Sequence, residues 1–323
     1  MAYAIRMHAH GGPDVMVAEE VVIGAPGPGE VRLRQTAIGL NYIDTYQRSG
    51  QYPLALPTGL GQEAAGVVEA VGAGVDFLRV GERVAYSGLM GAYASERNAP
   101  ADRMVRIPDG IDDVTAATLM LKGLTVQYLF RQTFRLNGGE TILFHAAAGG
   151  VGLIACQWAR ALDVTMIGTV GSDDKAELAR ANGCAHTIVY TREDFVARTK
   201  EITGGKGVPV VYDSIGKDTF PQSLDCLSPL GMFVSFGAAS GPIAAFNIGL
   251  LAQKGSLYVT RPTLFTYAAT RANLNAMADE MFGLVQAGKI KSAARQTFAL
   301  KDVAAAHRAL ESRGTTGATV LLP

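Results

Sequence analysis

The fold of this chain is decided by Thr141-Ile-Leu-Phe144 followed directly by His145-Ala-Ala-Ala-Gly149-Gly150-Val151-Gly152. The run of a threonine and three apolar residues predicts a short buried strand, and the glycine-rich turn after it opens a helical segment at residues 151–161. Aligned on the helix start, the turn reads A-x-G-x-x-G, with Ala147 in place of the first glycine of the usual dinucleotide-binding fingerprint. Glycine at 149 lets a pyrophosphate approach the backbone, and glycine at 152 lets the helix pack closely on the strand. We therefore predict that a dinucleotide cofactor is held by Gly149, Gly150, Val151 and Gly152.

The context of this turn argues against the alternative, a glycine turn without a ligand. Six short runs rich in β-branched or aromatic residues lie at 141–144, 164–169, 187–190, 208–212, 232–236 and 256–259. Most are separated by segments that suit helices, and this alternation implies parallel strands with right-handed crossovers. The sequence therefore predicts an α/β chain with a Rossmann doubly wound parallel sheet.

The residues before about 110 have a different pattern, in which short apolar runs are interrupted by glycine and proline. Alternation such as Val31-Arg-Leu-Arg34 is typical of strands with one solvated face, so we predict a β-rich, partly barrelled domain. A long helix at 271–287 and a closing strand at 318–322 return the chain to this first domain. The predicted domains are 1–122 with 262–323 on the substrate side and 123–261 for the dinucleotide.

Composition restricts the function further. Formal net charge is zero, so nothing indicates a partner among nucleic acids or membrane surfaces. The first residues lack the apolar core of a signal peptide, and no apolar run is long enough to span a bilayer. Cys156, Cys184 and Cys226 are scattered, which fits a reducing compartment. We expect a cytoplasmic protein.

The end of the second strand of the Rossmann sheet predicts which nicotinamide cofactor binds. An NAD-binding site places an acidic residue there, whereas this chain has Val170 and Gly171. Ser172 and Lys175 follow and suit a 2′-phosphate, so we predict NADPH. Two alternatives stay open: Lys175 is a solvated helix residue, or Asp173 reaches the ribose.

The chain resembles the zinc-independent, ζ-crystallin-like quinone oxidoreductase family of the medium-chain dehydrogenase/reductase superfamily. Within that family it is most similar to the bacterial NADPH:quinone reductases. The resemblance covers essentially the whole chain. Its markers are the runs at 39–44, 61–68, 81–84, 121–125, 145–152, 211–214, 234–237 and 255–262.

The resemblance implies a GroES-like fold for the β-rich domain and a homodimer formed by edge strands of two Rossmann sheets. It also implies roles for particular residues. The nicotinamide half of NADPH would lie near Asn41, Tyr46, Thr125 and Tyr128, and other parts of the cofactor near Ser214, Gly237 and Arg261. The adenosine end with its phosphate would lie near Ser172, Lys175, Tyr190 and Arg313. Tyr190 as a core aromatic and Arg313 as a plain surface charge remain alternatives.

The positions that hold catalytic zinc in other members of the superfamily carry Asn41, Gln62 and Lys122 in this chain. Amides are poor zinc ligands beside thiolate and imidazole, so we expect no metal. Asp44 and Glu63 then have a structural, hydrogen-bonding role. The five histidines form no ligand pair, and His307 stands alone in the sequence, so each is expected to be structural or solvated.

Without a metal, the chemistry must suit an acceptor that delocalises its own negative charge. We predict that NADPH reduces a small-molecule quinone, with orientation and hydrogen bonds supplied by catalytic Asn41, Tyr46 and Tyr52. Both tyrosines are expected on the loop after Asn41. The alternatives are reduction of α,β-unsaturated carbonyls (enones or alkenals) and a non-enzymatic, crystallin-like NADPH-binding protein.

Overall fold

The structure, a computed structural model, describes residues 1–312 and 314–323. The chain divides into two compact units. Unit 1 comprises Met1–Leu124, Tyr267–Gly288 and Ser292–Pro323, and unit 2 comprises Thr125–Thr266 and Lys289–Lys291. In the described part of the chain, no helix is long and apolar enough to cross a membrane.

Unit 1 is built on two β-sheets. Its strands, numbered along the whole chain, are β1 (Tyr3–Met7), β2 (Met16–Glu20), β3 (Glu30–Leu40), β4 (Thr58–Gly59), β5 (Glu63–Val71), β6 (Arg83–Ser87), β7 (Glu96–Pro100), β8 (Val105–Arg106), β15 (Ala294–Ala299) and β16 (Ala318–Leu322). One sheet has the order β2-β1-β4, and the other has the order β15-β16-β3-β5-β6-β8, with β7 also paired to β3. Since β16 pairs with β3, the last segment of the chain is part of this unit.

The predicted alternation along β3 decides which of its side chains form the core of unit 1. Val31 and Leu33 are fully buried, and Arg34 on the opposite face is exposed. The core cluster continues through Ile5 and Tyr93 to residues of the C-terminal segment. The helices that begin or lie in this unit are α1 (Tyr42–Ser49), α2 (Asp113–Ala117), α3 (Lys122–Tyr128), α9 (Arg271–Gln286) and α10 (Val303–Glu311).

Unit 2 contains a six-stranded sheet in which every neighbouring pair is parallel. Its elements are β9 (Thr141–Phe144), α4 (Gly150–Ala161), β10 (Thr165–Val170), α5 (Asp173–Ala181), β11 (His186–Val189), α6 (Phe195–Ile202), β12 (Val208–Asp213), β13 (Leu227–Ser235), α7 (Gly249–Gln253) and β14 (Tyr258–Thr260). A short helix, α8 (Leu264–Tyr267), follows β14. The order β11-β10-β9-β12-β13-β14 is that of a doubly wound Rossmann sheet, so the predicted fold class is confirmed.

The strand order reverses between β9 and β12, which lie side by side. In an open parallel sheet, the loops that leave the carboxyl ends of two such strands diverge and leave a crevice for a ligand. The predicted phosphate-binding turn follows β9, and Ser214 follows β12. The fold therefore brings these two predicted site segments to the same edge of the sheet.

Candidate active site

The turn after β9 has the geometry of an anion-binding loop. Gly149 is the N-cap of α4, and no side chain caps the helix there, so backbone N–H groups of the first turn remain available to a ligand. A Cβ at Gly152 would collide with the carbonyl oxygen of Ala146, so this position requires glycine. The departure at Ala147 is accommodated by Gly168 of β10, since a Cβ there would lie 2.5 Å from the Ala147 methyl group. Alanine thus fits because the next strand gives up its own side chain.

The ends of β10 and β11 bring three predicted phosphate-binding residues together. Ser172 is the N-cap of α5, and its Oγ accepts a hydrogen bond from the backbone N of Lys175 at 3.4 Å. Tyr190 follows β11, and its hydroxyl oxygen lies 2.9 Å from the place that a Cβ of Gly171 would occupy. Tyr190 is 48% exposed, so the alternative that made it a core aromatic is wrong. Val170 is buried, and the end of β10 offers no carboxylate of its own.

Sequence reasoning missed Arg192, which pairs with Asp173 beside this group. The guanidinium Nη1 and Nη2 atoms lie 2.6 Å from the two carboxylate oxygens. The hydrogen bonds from Arg192, and then its charge, lower the pKa of Asp173 below the usual value. The carboxylate proposed as an alternative ribose ligand is therefore engaged by a cation. The signal was present in the sequence, because residues just after neighbouring parallel strands meet at one edge of the sheet.

Ser214, Gly237 and Arg261 lie at the carboxyl ends of the next strands. A Cβ at Gly237 would lie 2.6 Å from the carbonyl oxygen of Ser214, so glycine permits the two segments to approach closely. Arg261, just after β14, donates to the carbonyl oxygen of Ser235 at 2.8 Å. Thr125 and Tyr128 lie three residues apart on α3 and are both buried. Arg313, the remaining predicted cofactor residue, is outside the described residues.

A buried network fastens the carboxyl end of β9 to its neighbours. The His145 ring nitrogens lie 2.9 Å from the hydroxyls of Thr169 and Ser223, and Ser223 donates to Asp213 at 3.4 Å. Burial lowers the pKa of His145, although the charge of Asp213 opposes the change. The network bonds both ring nitrogens, which gives His145 a structural role.

In unit 1, a cluster of polar side chains surrounds the fully buried carboxylate of Glu63. Its Oε2 accepts from Asn41 Nδ2 at 2.8 Å and from Lys122 Nζ at 3.2 Å, and its Oε1 accepts from the backbone N of Leu121 at 2.6 Å. A Cβ at Gly39 would collide with Oε2, so glycine on β3 makes room for this carboxylate. The positions predicted to lack a metal thus hold a hydrogen-bonded ion pair.

The expectation that both candidate catalytic tyrosines lie on a loop is wrong, because one of them is part of a helix. Tyr46 lies on α1 and is buried, while Tyr52 follows the helix, and their rings meet edge to face at a centroid distance of 5.3 Å. The helix forms because capping residues fix both of its ends. Asp44 accepts from the backbone N of Asn41 at 2.9 Å to begin the helix, and Gly50 ends it with a positive φ of 85°.

His307 has the structural role that was one of the two expected for it, structural or solvated, since it is buried and both of its ring nitrogens have partners. The Arg48 Nη1 atom lies 3.0 Å from His307 Nδ1, and His307 Nε2 lies 3.0 Å from the Tyr93 hydroxyl. Tyr93 in turn donates to Asp44 at 2.8 Å, and Glu311 binds Arg48 at the other end. Because a guanidinium only donates, Nδ1 accepts and the proton is on Nε2. The hydrogen bonds from Arg48 through His307 and Tyr93 therefore run toward Asp44, while Arg48 also donates to Glu311.

Burial shifts the pKa values of three groups in this hydrogen-bonded network, raising that of the Tyr93 hydroxyl and shifting those of His307 and Asp44. Burial, and then the charge of Arg48, lowers the pKa of His307 to about 3. Burial raises the pKa of Asp44 to about 7, although the hydrogen bonds from Tyr93 and Asn41 oppose the rise. The predicted structural role of Asp44 rests on these bonds, which hold the first turn of α1 and so the position of Asn41 and Tyr46.

The donors around Glu63 do not fit a zinc ion. Asn41 offers an amide and Lys122 an ammonium, and Gln62 is buried with its Nε2 unpartnered. Among the residues that the structure describes, no group of three or more His, Cys, Asp or Glu could hold a metal ion. A metal cation at this place would be repelled by the Lys122 ammonium, so these residues do not fit a metal site.

The sequence and structure of this chain are similar to those of known oxidoreductases. Residues 27–109 match the family described as alcohol dehydrogenase GroES-like domain, and residues 150–279 match the one described as zinc-binding dehydrogenase. A quinone oxidoreductase of Pseudomonas aeruginosa is 58% identical over 100% of both chains. The chain belongs to the quinone oxidoreductase family.

The relatives of this quinone oxidoreductase family member include proteins named for two different substrates, a quinone and a 2-haloacrylate. A 2-haloacrylate reductase of a Burkholderia species is 50% identical over 100% of this chain and 99% of its own. The solved structure of the Escherichia coli quinone oxidoreductase complexed with NADPH matches with a TM-score of 0.98 and 50% identity, covering 99% of this chain and 100% of that one. The predicted family is confirmed, and with it the Rossmann sheet inserted in a GroES-like domain.

Proposed function

We propose that this protein is an NADPH-dependent quinone reductase that transfers hydride without a metal. The observation that carries the proposal is the edge of the Rossmann sheet, where an uncapped glycine loop and a group of hydroxyls and cations lie at the ends of β9, β10 and β11. The relative that was solved with NADPH supports the same reading. In this proposal, residues 123–261 form the cofactor domain, and residues 1–122 with 262–323 form the substrate-side domain.

The residues of unit 2 fit NADPH along its length. Gly149, Gly150, Val151 and Gly152 would hold the pyrophosphate, because the loop presents backbone N–H groups and no side chains. The 2′-phosphate would be bound by Ser172, Lys175 and Tyr190, with Arg192 as an additional cation. The remaining contacts that we propose are those of Thr125, Tyr128, Ser214, Gly237 and Arg261, together with Arg313 from the C-terminal segment, which lies outside the described residues. When bound, NADPH supplies a hydride.

The residues of unit 1 would prepare the acceptor. Tyr46 and Tyr52 would offer aromatic faces to a flat ring. We propose that Asn41 lies beside the acceptor, with its amide Nδ2 held by Glu63 Oε2 at 2.8 Å and by the carbonyl oxygen of Gly39 at 3.3 Å. A quinone delocalises the charge that it gains, so orientation, water exclusion and a few hydrogen bonds are enough for catalysis. The proposal of a metal-free reaction is supported by Lys122 and Asn41 on Glu63, although one matched family is described as zinc-binding dehydrogenase.

The 2-haloacrylate reductase among the relatives supports a second candidate, the reduction of activated alkenes. The test is NADPH oxidation by the purified protein with a small benzoquinone, an enone, an alkenal and 2-chloroacrylate as separate acceptors. The proposal expects the quinone to give the highest kcat/KM. Higher kcat/KM with an alkene would favour the second candidate, and NADPH binding without turnover on any acceptor would favour a non-enzymatic protein.

We further propose a homodimer and a cytoplasmic location. The strand β14 pairs with β13 on one side, and its Tyr258 is 58% exposed and its Val259 39% exposed. An apolar edge strand of this kind is usually covered, and a two-fold pairing of two such strands would cover both. The cytoplasmic location is supported by the cysteines, which are all free thiols.

A further inference from the structure

Lys122 carries a buried ammonium group that has no assigned role in the proposed reaction. Its side chain is 7% exposed, and its Nζ atom forms an ion pair with Glu63 Oε2 at 3.2 Å. Burying a charge is costly unless the charge is paired, and this pair lies where unit 1 already presents Asn41. A lysine has three N–H donors, and the bond to Glu63 uses one of them. The position of the ammonium is thus fixed while part of its donor capacity remains.

The carboxylate partner is more fully used than the ammonium. Glu63 accepts from Lys122, from the amide of Asn41 and from a backbone N–H, so three donors share its two oxygens. Directly before it in sequence, Gln62 is 3% exposed and its Nε2 has no hydrogen-bond partner. Leaving a buried donor unpaired is costly, and a bound acceptor would remove that cost. The Lys122 ammonium therefore keeps N–H donors that an additional oxygen can accept from.

We propose that Lys122 is a catalytic residue whose ammonium binds the oxygen of the acceptor and stabilises the negative charge that forms on it. This inference rests on the proposed function. The acceptor gains a hydride, which carries two electrons and one proton, as the nicotinamide is oxidised. The negative charge collects on the acceptor oxygen, which then takes a proton from water. Glu63 acts as a positioning residue that holds the ammonium in place.

The first test compares turnover in variants of Lys122. Lys122→Met removes the charge, and Lys122→Arg keeps a cation at the site. Losing one donor to a developing oxyanion lowers kcat by roughly 10²–10³-fold, so we expect a loss of that size for methionine, a smaller change in KM, and partial activity for arginine. Lys206→Met, at an exposed lysine, is the matched control and keeps wild-type turnover.

The second variant separates catalysis from folding. Lys122→Met alone leaves Glu63 as an unpaired buried charge, whereas Lys122→Met combined with Glu63→Gln removes both charges. Thermal unfolding and NADPH titration establish that each variant is folded and binds cofactor. The double variant should regain stability but not turnover. Turnover restored together with stability would show that Lys122 is only structural and would overturn the inference.

A binding measurement needs no turnover. The bound phenol of 4-nitrophenol, an oxyanion probe, should ionise more readily beside Lys122, because an opposite charge within about 4–6 Å lowers a pKa by one to three units. Absorbance titration should show its ionisation constant raised at least about tenfold on the wild-type protein, and not on Lys122→Met. No binding, no shift, or an equal shift in both proteins overturns the assignment.

The two experiments distinguish failure of this inference from failure of the proposed function. If the wild-type protein reduces quinones and 4-nitrophenol ionises as it does in water, the function stands and the role of Lys122 falls. If the wild-type protein reduces no quinone yet stabilises the phenolate through Lys122, the oxyanion site stands and the proposed function falls.

Discussion

The replacement of Lys175 by alanine tests how the protein would choose its cofactor. Lys175 lies in the first turn of α5, next to Ser172 and at the same sheet edge as Tyr190. A hydrogen bond to a charged group contributes about 1.5–3 kcal/mol, and half-exposure to solvent favours the lower value. A loss of about 1.5 kcal/mol corresponds to roughly a tenfold weaker binding of the 2′-phosphate.

Lys175→Ala should therefore raise the KM for NADPH about tenfold and leave kcat at saturating cofactor unchanged, because the contact is distant from the hydride. The KM for NADH, which lacks the phosphate, should not change. Steady-state kinetics with both cofactors at two salt concentrations measures this, and the effect should shrink at high salt. Lys206→Ala is the control. Equal losses for the two cofactors, or none for either, would refute the assignment of the phosphate site.

The remaining predictions concern the loop, the buried chain and the edge strand. Gly152→Ala should abolish NADPH binding in a fluorescence titration, since its Cβ collides with a backbone oxygen, whereas Gly283→Ala, with open space around it, should bind normally. Urea unfolding across pH should contain two opposite contributions, which largely cancel in the wild type where their pH ranges overlap. His307 has a folded pKa of about 3, below its usual 6.5, and contributes stability that rises with pH between those values. Asp44 has a folded pKa of about 7, above its usual 3.8, and its contribution falls over that window. Asp44→Asn should therefore make stability rise more steeply with pH than in the wild type, and His307→Gln should make it fall; identical profiles would contradict both assignments. Val259→Arg, on the exposed face of β14, should convert a dimer into a monomer in sedimentation, and a wild-type monomer would contradict the proposed assembly.

The parts of the fold that follow local patterns could be predicted from the sequence. The period-two pattern at the start of β3 comes from the burial of alternate residues, whereas the final strand at 318–322 is a run of buried residues up to Leu321. The six parallel strands follow from their alternation with helices. The glycine loop was predictable because its geometry forbids side chains at particular places.

The interactions that sequence reasoning missed connect residues far apart along the chain. Arg48 and His307 are separated by 259 positions, and no local pattern links them. Arg192 and Asp173 meet because β10 and β11 are neighbours, which needs the strand order as well as the strands. The helix α1 is different, since the N-x-x-D capping pattern at 41–44 and Gly50 were visible in the sequence.

The most direct test of the central claim is NADPH oxidation by a small benzoquinone with protein dialysed against a strong chelator, with zinc content measured on the same sample. The proposed function predicts full quinone-dependent turnover at far below one zinc per chain. About one zinc per chain, with turnover lost on its removal and restored on its return, would contradict it.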